Sequence, residues 1–425
     1  MLGRNSFCDH AIRWIRVGGL WQVLKENRKR VISCYLFSSI RTKYILRLDS
    51  VQSGFNCTSD PKPVYFGLAH LFISRTMSTP LETCSGAIHC GLSWIPSIII
   101  LIFFAVVSTG CESAASEQSE QADAPPNPHL ISFEGDSGPG LGKHIVLLAG
   151  DHEYRSEEIL PAMARILSKH FGFKTSVFFT LDEEGFIQPG SSHIRGLEAL
   201  QTADLVVMGL RFQNFPNVEM QHIVDYLDRA GPIIGLRTST HAFDGIEGEF
   251  ARFNWNNEDE TYFKGFGRQV LGETWAGHYG TNHEQSSLVI PEQADHPIFR
   301  GVSDMHVQSG GYYADPMPDS EVLARGTVLN GMSADAPAAD DKEQVPVVWT
   351  RSYEGSDDQT GRVFTTTHGA REDFLNDGFR RMLINAAFWA LSMEDEIEPT
   401  NVVDLVGPYN PVLFAFDGYR LGVRP

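Results

Sequence analysis

All six cysteines of this 425-residue chain lie at or before position 111: Cys8, Cys34, Cys57, Cys84, Cys90 and Cys111. The body that follows therefore has no disulfide, no thiolate metal site and no cysteine nucleophile. Basic residues are scarce there too. From Cys111 onward, 22 Lys+Arg stand against 48 Asp+Glu. Such a body offers no basic patch to nucleic acid, and nucleic-acid binding is set aside. No Gly-x-Gly-x-x-Gly or Walker loop follows the first strand, so no nucleotide is expected. With 42% hydrophobic and 20% charged residues, the composition is that of a folded protein and not of a disordered or polytopic membrane chain.

The first 111 residues have a different character. Residues 1–76 carry 12 Lys+Arg against Asp9, Glu26, Asp49 and Asp60. They show no sustained period of 2 or 3.6. The most apolar stretch is Ile98–Val107, extended to Ile95. It is too short to cross a bilayer comfortably but suits the hydrophobic region of a signal peptide. Ser108-Thr-Gly-Cys111 follows, which resembles a bacterial lipoprotein signal with Cys111 as the lipidated residue. Ser108 stands where Leu is usual, and ordinary cleavage or an uncleaved anchor are the alternatives. A signal segment over 77–111 implies that synthesis begins near Met77 and that 1–76 is a mis-assigned extension; a real basic segment is the rival. Residues 112–141, rich in Ser, Glu, Gln, Ala, Pro and Gly, are expected as a flexible spacer.

Apolar runs and amphipathic segments then alternate. Lys143–Ala149, Thr175–Thr180, Asp204–Leu210 and Pro232–Leu236 have the pattern of buried parallel strands. Between them, a helix from Ser156, which is placed to cap it, shows Ile159, Leu160, Met163, Ile166 and Leu167 on one face. A second helix starts at Pro216 and ends before Gly231. Later strands are expected at 287–290, 321–329, 345–353 and 362–367, with a closing helix over 372–391. The alternation gives one large α/β domain over 142–394, a doubly wound, mostly parallel sheet, with a tail over 395–425 packed on it.

In open parallel sheets ligands bind beyond the carboxyl ends of the strands. There the sequence reads Asp151-His152-Glu153-Tyr154-Arg155, Arg211-Phe-Gln-Asn214, Arg237-Thr-Ser239-Thr-His241 and His368-Gly-Ala-Arg371. Four loops thus carry His, Arg, Asp and amide groups to one edge. His241, His368 and Arg237 are the candidate catalytic residues. Asp151, His152, Arg155, Arg211, Asn214 and Ser239 are the candidate ligand-binding ones. Each arginine also has a plainer reading as an ion-pair partner in an acid-rich chain. The insert from Arg252 to His306 adds Trp255, Trp275, His278 and His283. The last two have the residue type for a divalent-metal site, although five residues apart they miss the helical spacing of four. The aromatic rings suit the apolar faces of a pyranose.

The strand ends resemble the ThuA-like family, named for trehalose utilisation, which shares the class I glutamine-amidotransferase-like fold. The resemblance runs from about Lys143 to Leu391. It is carried by Leu-Leu-Ala-Gly-Asp151-His152-Glu-Tyr-Arg-Ser, Gly235-Leu-Arg-Thr-Ser-Thr-His241-Ala-Phe, Asp295-His-Pro-Ile and Arg362-Val-Phe-Thr-Thr-Thr-His368. It implies a flavodoxin-like three-layer sandwich and work on sugars or keto-glycosides in disaccharide breakdown. Amidotransferases place a glycine-flanked cysteine after the fourth strand; here that turn is Gly235-Leu-Arg237-Thr-Ser239, so amidotransfer is excluded. A Ser239–His pair lacks the Gly-x-Ser-x-Gly context. The expectation is an exported, membrane-tethered protein acting on a small carbohydrate derivative by acid–base chemistry: His241 or His368 moves a proton beside a carbonyl and Arg237 steadies the oxyanion. The alternative is a non-catalytic envelope module that binds a ligand or partner.

Overall fold

The computed structural model describes residues 14–17, 20–23, 34–35 and 126–425. The earlier residues belong to a separate unit, Met1–Glu112. Its described part is an antiparallel sheet of β1 (Trp14–Val17), β2 (Leu20–Val23) and β3 (Cys34–Tyr35). The apolar segment at 95–107 and Cys111 lie outside the described residues, as does the spacer before 126. Among the described residues no helix is long and apolar enough to cross a membrane.

The body is built on one ten-stranded sheet. Its strands are β4 (Leu130–Phe133), β5 (His144–Gly150), β6 (Lys174–Phe179), β7 (Leu205–Leu210), β8 (Ile233–Leu236), β9 (Ser287–Pro291), β10 (Met305–Val307), β11 (Glu321–Val328), β12 (Val345–Glu354) and β13 (Thr360–Thr366), in the spatial order β10-β9-β11-β12-β13-β8-β7-β5-β6-β4. The five central strands β13, β8, β7, β5 and β6 are parallel. The outer strands join antiparallel.

The parallel centre is where the sequence placed it, and side-chain alternation explains the three layers. Along β5, Ile145, Leu147 and Ala149 enter one core with helices α1 (Ser156–Phe171) and α3 (Asp377–Ala390). Val146 and Leu148 enter a second core, with helix α2 (Asn217–Asp228). A strand covered on both faces must be apolar on both, hence the unbroken apolar run.

Four details differ from the sequence reading. β4 lies inside the expected spacer, because Leu130, Ile131 and Phe133 supply just enough apolar surface to form an edge strand on β6. The short strand β10 was not anticipated. Ser156 does not cap α1: Arg155, in the left-handed region at φ 66°, holds the cap position, and the Ser156 hydroxyl instead accepts the Asp151 N–H at 3.0 Å. The closing helix is interrupted. A turn at Asp373–Leu375 precedes α3, whose cap is Asn376, its Oδ1 accepting the Phe379 N–H at 2.8 Å.

Asn376→Ala should therefore lower stability by about 1 kcal/mol, and Asn376→Asp by much less. Urea unfolding of the two variants beside the parent chain measures the difference.

Candidate functional site

The carboxyl ends of β5, β7 and β8 open on a small cavity of about 10 Å3, lined by Glu153, Arg211, Phe212, His241, Trp275, His278 and Tyr312. A larger cleft of about 450 Å3 is lined by Arg252, Tyr262, Arg351, Tyr353 and Thr360 among others. It sits at the amino-terminal edge of β8 and β13, away from the loops that carry the histidines. We place the site in the smaller cavity, since the strand ends deliver their polar residues there.

Arg237 organises this edge. It is 1% exposed and left-handed at φ 40°, so the turn after β8 is strained although no glycine flanks it. Its guanidinium lies between the rings of Tyr154 at 3.8 Å and Tyr312 at 4.5 Å. It donates to the Thr367 carbonyl at 3.0 Å and to Asn282 Oδ1 at 3.4 Å. Burial opposes its charge, but the two phenolic oxygens and Asp373 outweigh that and hold it protonated. Arg237 thus lies behind Tyr312 and does not line the cavity, contrary to its expected place at an oxyanion.

Both candidate catalytic histidines have an assignable tautomer. Thr240 spends its hydroxyl proton on the Arg237 carbonyl at 3.1 Å, so its oxygen accepts from His241 Nδ1 at 3.2 Å. His241 Nε2 is left as a bare base with no partner among the described residues. Burial first, then Arg211, Arg237, His278 and His152, push the His241 pKa well below the ordinary imidazole value. Its ring packs against Phe212 at 4.8 Å, Trp275 at 5.5 Å and Tyr312 at 5.7 Å.

His368 has the same tautomer for a parallel reason. Ser309 donates to Asp373 Oδ2 at 2.6 Å and accepts from His368 Nδ1 at 3.1 Å. The bare Nε2 of His368, however, is shut in. A Cβ on Gly311 would come within 3.2 Å of it, and it has no partner in its enclosure. His368 therefore does not reach the cavity, and its expected catalytic role is not supported by its position.

The remaining candidates divide in the same way. Arg211 lines the cavity, donating to His152 Nε2 at 2.9 Å and facing Glu153 Oε2 at 3.5 Å. His152 thus stands behind Arg211, kept neutral by burial and by that guanidinium. Asp151 is consumed by the fold: Oδ1 accepts the N–H groups of Glu153 and Tyr154, and Oδ2 accepts the Thr238 hydroxyl at 3.0 Å. Ser239 donates to the Met208 carbonyl at 2.7 Å and accepts the Leu210 N–H at 3.3 Å, which ties β8 to β7 and leaves no nucleophile. Arg155 is wholly buried and donates to the carbonyls of His152 and Ala415. Asn214 is exposed and outside the cavity lining.

The two expected metal ligands part company. His278 meets Trp275 and Tyr312 at 5.9 and 5.4 Å, whereas His283 stacks on Phe414 at 4.3 Å. Among the described residues no group of three or more His, Cys, Asp or Glu is set to hold a metal ion.

Four lining residues carry no signal of their own in the sequence. Glu153 and Phe212 sit inside strand-end motifs beside more conspicuous residues. Trp275 is one of several aromatics in the insert, and Tyr312 has no local signature. Glu153 accepts from Asn282 Nδ2 at 3.4 Å. Burial raises its pKa, against the Tyr154 hydrogen bond that lowers it. The indole Nε1 of Trp275 is buried without a partner, a donor free for a ligand. Tyr312 and Asn282 are held in place by a close backbone approach: a Cβ on Gly280 would lie 2.6 Å from the Gly310 Cα.

Comparison with known proteins gives a family match and a number of distant structural likenesses. The family model described as ThuA, trehalose utilisation, matches residues 146–390. A ThuA-like protein from Bacteroides uniformis is 16% identical, with a TM-score of 0.39 over 63% of this chain and 98% of that one. Another from Parabacteroides merdae is 14% identical, with a TM-score of 0.38 over 65% and 97%. No curated protein matches.

The buried neutral histidines make stability depend on pH. Burial lowers the His368 pKa from 6.5 to about 4. Between those values the unfolded chain takes up a proton that the folded chain refuses, so stability falls as pH drops through that window, for this residue by on the order of 3 kcal/mol. His241 acts in the same direction. His368→Gln should flatten the slope of the unfolding free energy against pH over this window, measured by urea unfolding at a series of pH values.

Proposed function

This chain belongs to the ThuA family, and from that premise we propose that its cavity takes a small carbohydrate derivative and that His241 moves a proton on a carbon beside the carbonyl. One observation carries this reading: a bare imidazole nitrogen on His241 and a carboxyl on Glu153, one with its pKa lowered and the other raised, line the same aromatic-walled cavity. General acid–base pairs are tuned in this way. His241 Nε2 takes the proton from carbon, and the C–H electrons pass into a C=C bond as the carbonyl oxygen becomes an oxyanion. Arg211, in the cavity wall, balances that charge. Glu153 in its acid form returns a proton. The faces of Trp275, Phe212 and Tyr312 suit the apolar faces of a sugar ring.

Size restricts the ligand. As it stands, the cavity of about 10 Å3 has room for about one water molecule, so a sugar derivative would enter by its carbonyl end and only as the aromatic side chains of the wall move aside. The signal-like pattern over 77–111 supports an exported body tethered through Cys111, which makes the membrane its neighbour.

The purified body should gain thermal stability with a monosaccharide or its keto derivative. His241→Ala and Glu153→Gln should each lower proton exchange at the carbon beside the carbonyl by about 10²–10⁴-fold, followed by deuterium incorporation from D2O. Binding without any exchange would favour the non-catalytic module. Absence of both binding and exchange would sink the carbohydrate reading. For the tether, Cys111→Ser should shift the protein from the membrane to the soluble fraction of expressing bacteria; an unchanged distribution would rule out lipidation at Cys111.

A further inference from the structure

The segment after α3 runs back across the loop that follows β5. Phe414 is buried there between Tyr154 at 5.1 Å and His283 at 4.3 Å. The two residues around Phe416 are pinned by their backbone. The Ala415 carbonyl accepts from Arg155 Nη2 at 3.1 Å, and the Asp417 N–H donates to the His152 carbonyl at 2.9 Å. Further on, the Ile187 N–H donates to the Val423 carbonyl at 2.8 Å, and Arg424 donates to the carbonyls of Glu184 and Gly185. Phe416 itself is 59% exposed, so burial of its ring does not explain its place. Its ring lies 4.9 Å from the Arg211 guanidinium carbon and 5.9 Å from the His152 ring. Phe212 faces the same guanidinium at 4.5 Å.

We propose that Phe416 is a positioning residue for the site: with Phe212 it clamps Arg211 so that the guanidinium is held against His152 and Glu153 and presents its remaining donors to the cavity. The role in ligand binding rests on the carbohydrate reading above; the clamp itself does not. A planar guanidinium stacked between two rings keeps its N–H groups free in its own plane. An unclamped arginine side chain has many rotamers and loses that order. The ring reaches Arg211 because both neighbouring backbone groups are tied to the β5 loop, so the segment after α3 backs one residue of the site's wall.

The test separates the two claims. His152 contacts Arg211, and Asp151, Asp417 and Arg155 are the other charged groups acting on it. In Phe416→Ala, Arg211 is released and His152 becomes less buried, so the His152 ring-proton titration followed by NMR should move to higher pH. Phe416→Tyr should restore the parent midpoint. Phe416→Leu, apolar without a π face, should fall between them and serves if the alanine variant folds poorly. Binding of a keto-monosaccharide should weaken about three- to tenfold in Phe416→Ala. An unmoved His152 midpoint in folded Phe416→Ala and Phe416→Leu would overturn the clamp. A moved midpoint in a protein that binds no sugar even as the parent chain would uphold the clamp and overturn the carbohydrate reading.

Discussion

A buried cation holds this sheet edge together. Arg237 cannot lose its proton and is almost without solvent, so the surroundings must supply what water would. They do so from four places in the chain: the ring of Tyr154 after β5, the amide of Asn282 in the long insert, the ring of Tyr312 after β10, and the Thr367 carbonyl after β13. Each of these loops also carries, or adjoins, a residue of the cavity wall or its support. Removing the guanidinium would leave the loops without their common partner, and removing a partner would leave a charge stranded.

The same demand sorts the polar residues at the strand ends. A polar group taken out of water must find a partner, and most here find it in the fold. Asp373 is the clearest case: its carboxylate accepts the N–H groups of Gln308, Ser309, Gly369 and Ala370 and the Ser309 hydroxyl. That fixes the turn after β13 to the segment after β10 and, through Ser309, orients His368. Asp151 and Ser239 serve likewise. What remains for a ligand is what the fold does not saturate: the free nitrogen of His241, the carboxyl of Glu153, the donors of Arg211 and the indole N–H of Trp275.

The parallel strands were legible because burial on both faces forces an unbroken apolar run, and the first two helices because a one-sided apolar stripe has a period of its own. The break before α3 was not, since Asp373 and Asn376 look like ordinary surface polar residues until their hydrogen-bond partners are known. Of the residues that the strand ends offer, Arg211 and His241 line the cavity, joined by His278 from the insert. Arg237 and His368 lie just behind it, and Asp151, Arg155 and Ser239 are spent on backbone and neighbouring groups.

By itself, then, the sequence determined the α/β architecture, the edge where the polar residues gather, the absence of a thiol after position 111 and the ThuA family, because these follow from local pattern and residue type. Tertiary structure decided which histidines line the cavity, that Glu153 and Tyr312 share it, and that Phe416 reaches Arg211 from more than two hundred positions along the chain. Those outcomes depend on which hydrogen-bonding groups are already taken, and that is a property of neighbours in space which no local pattern records.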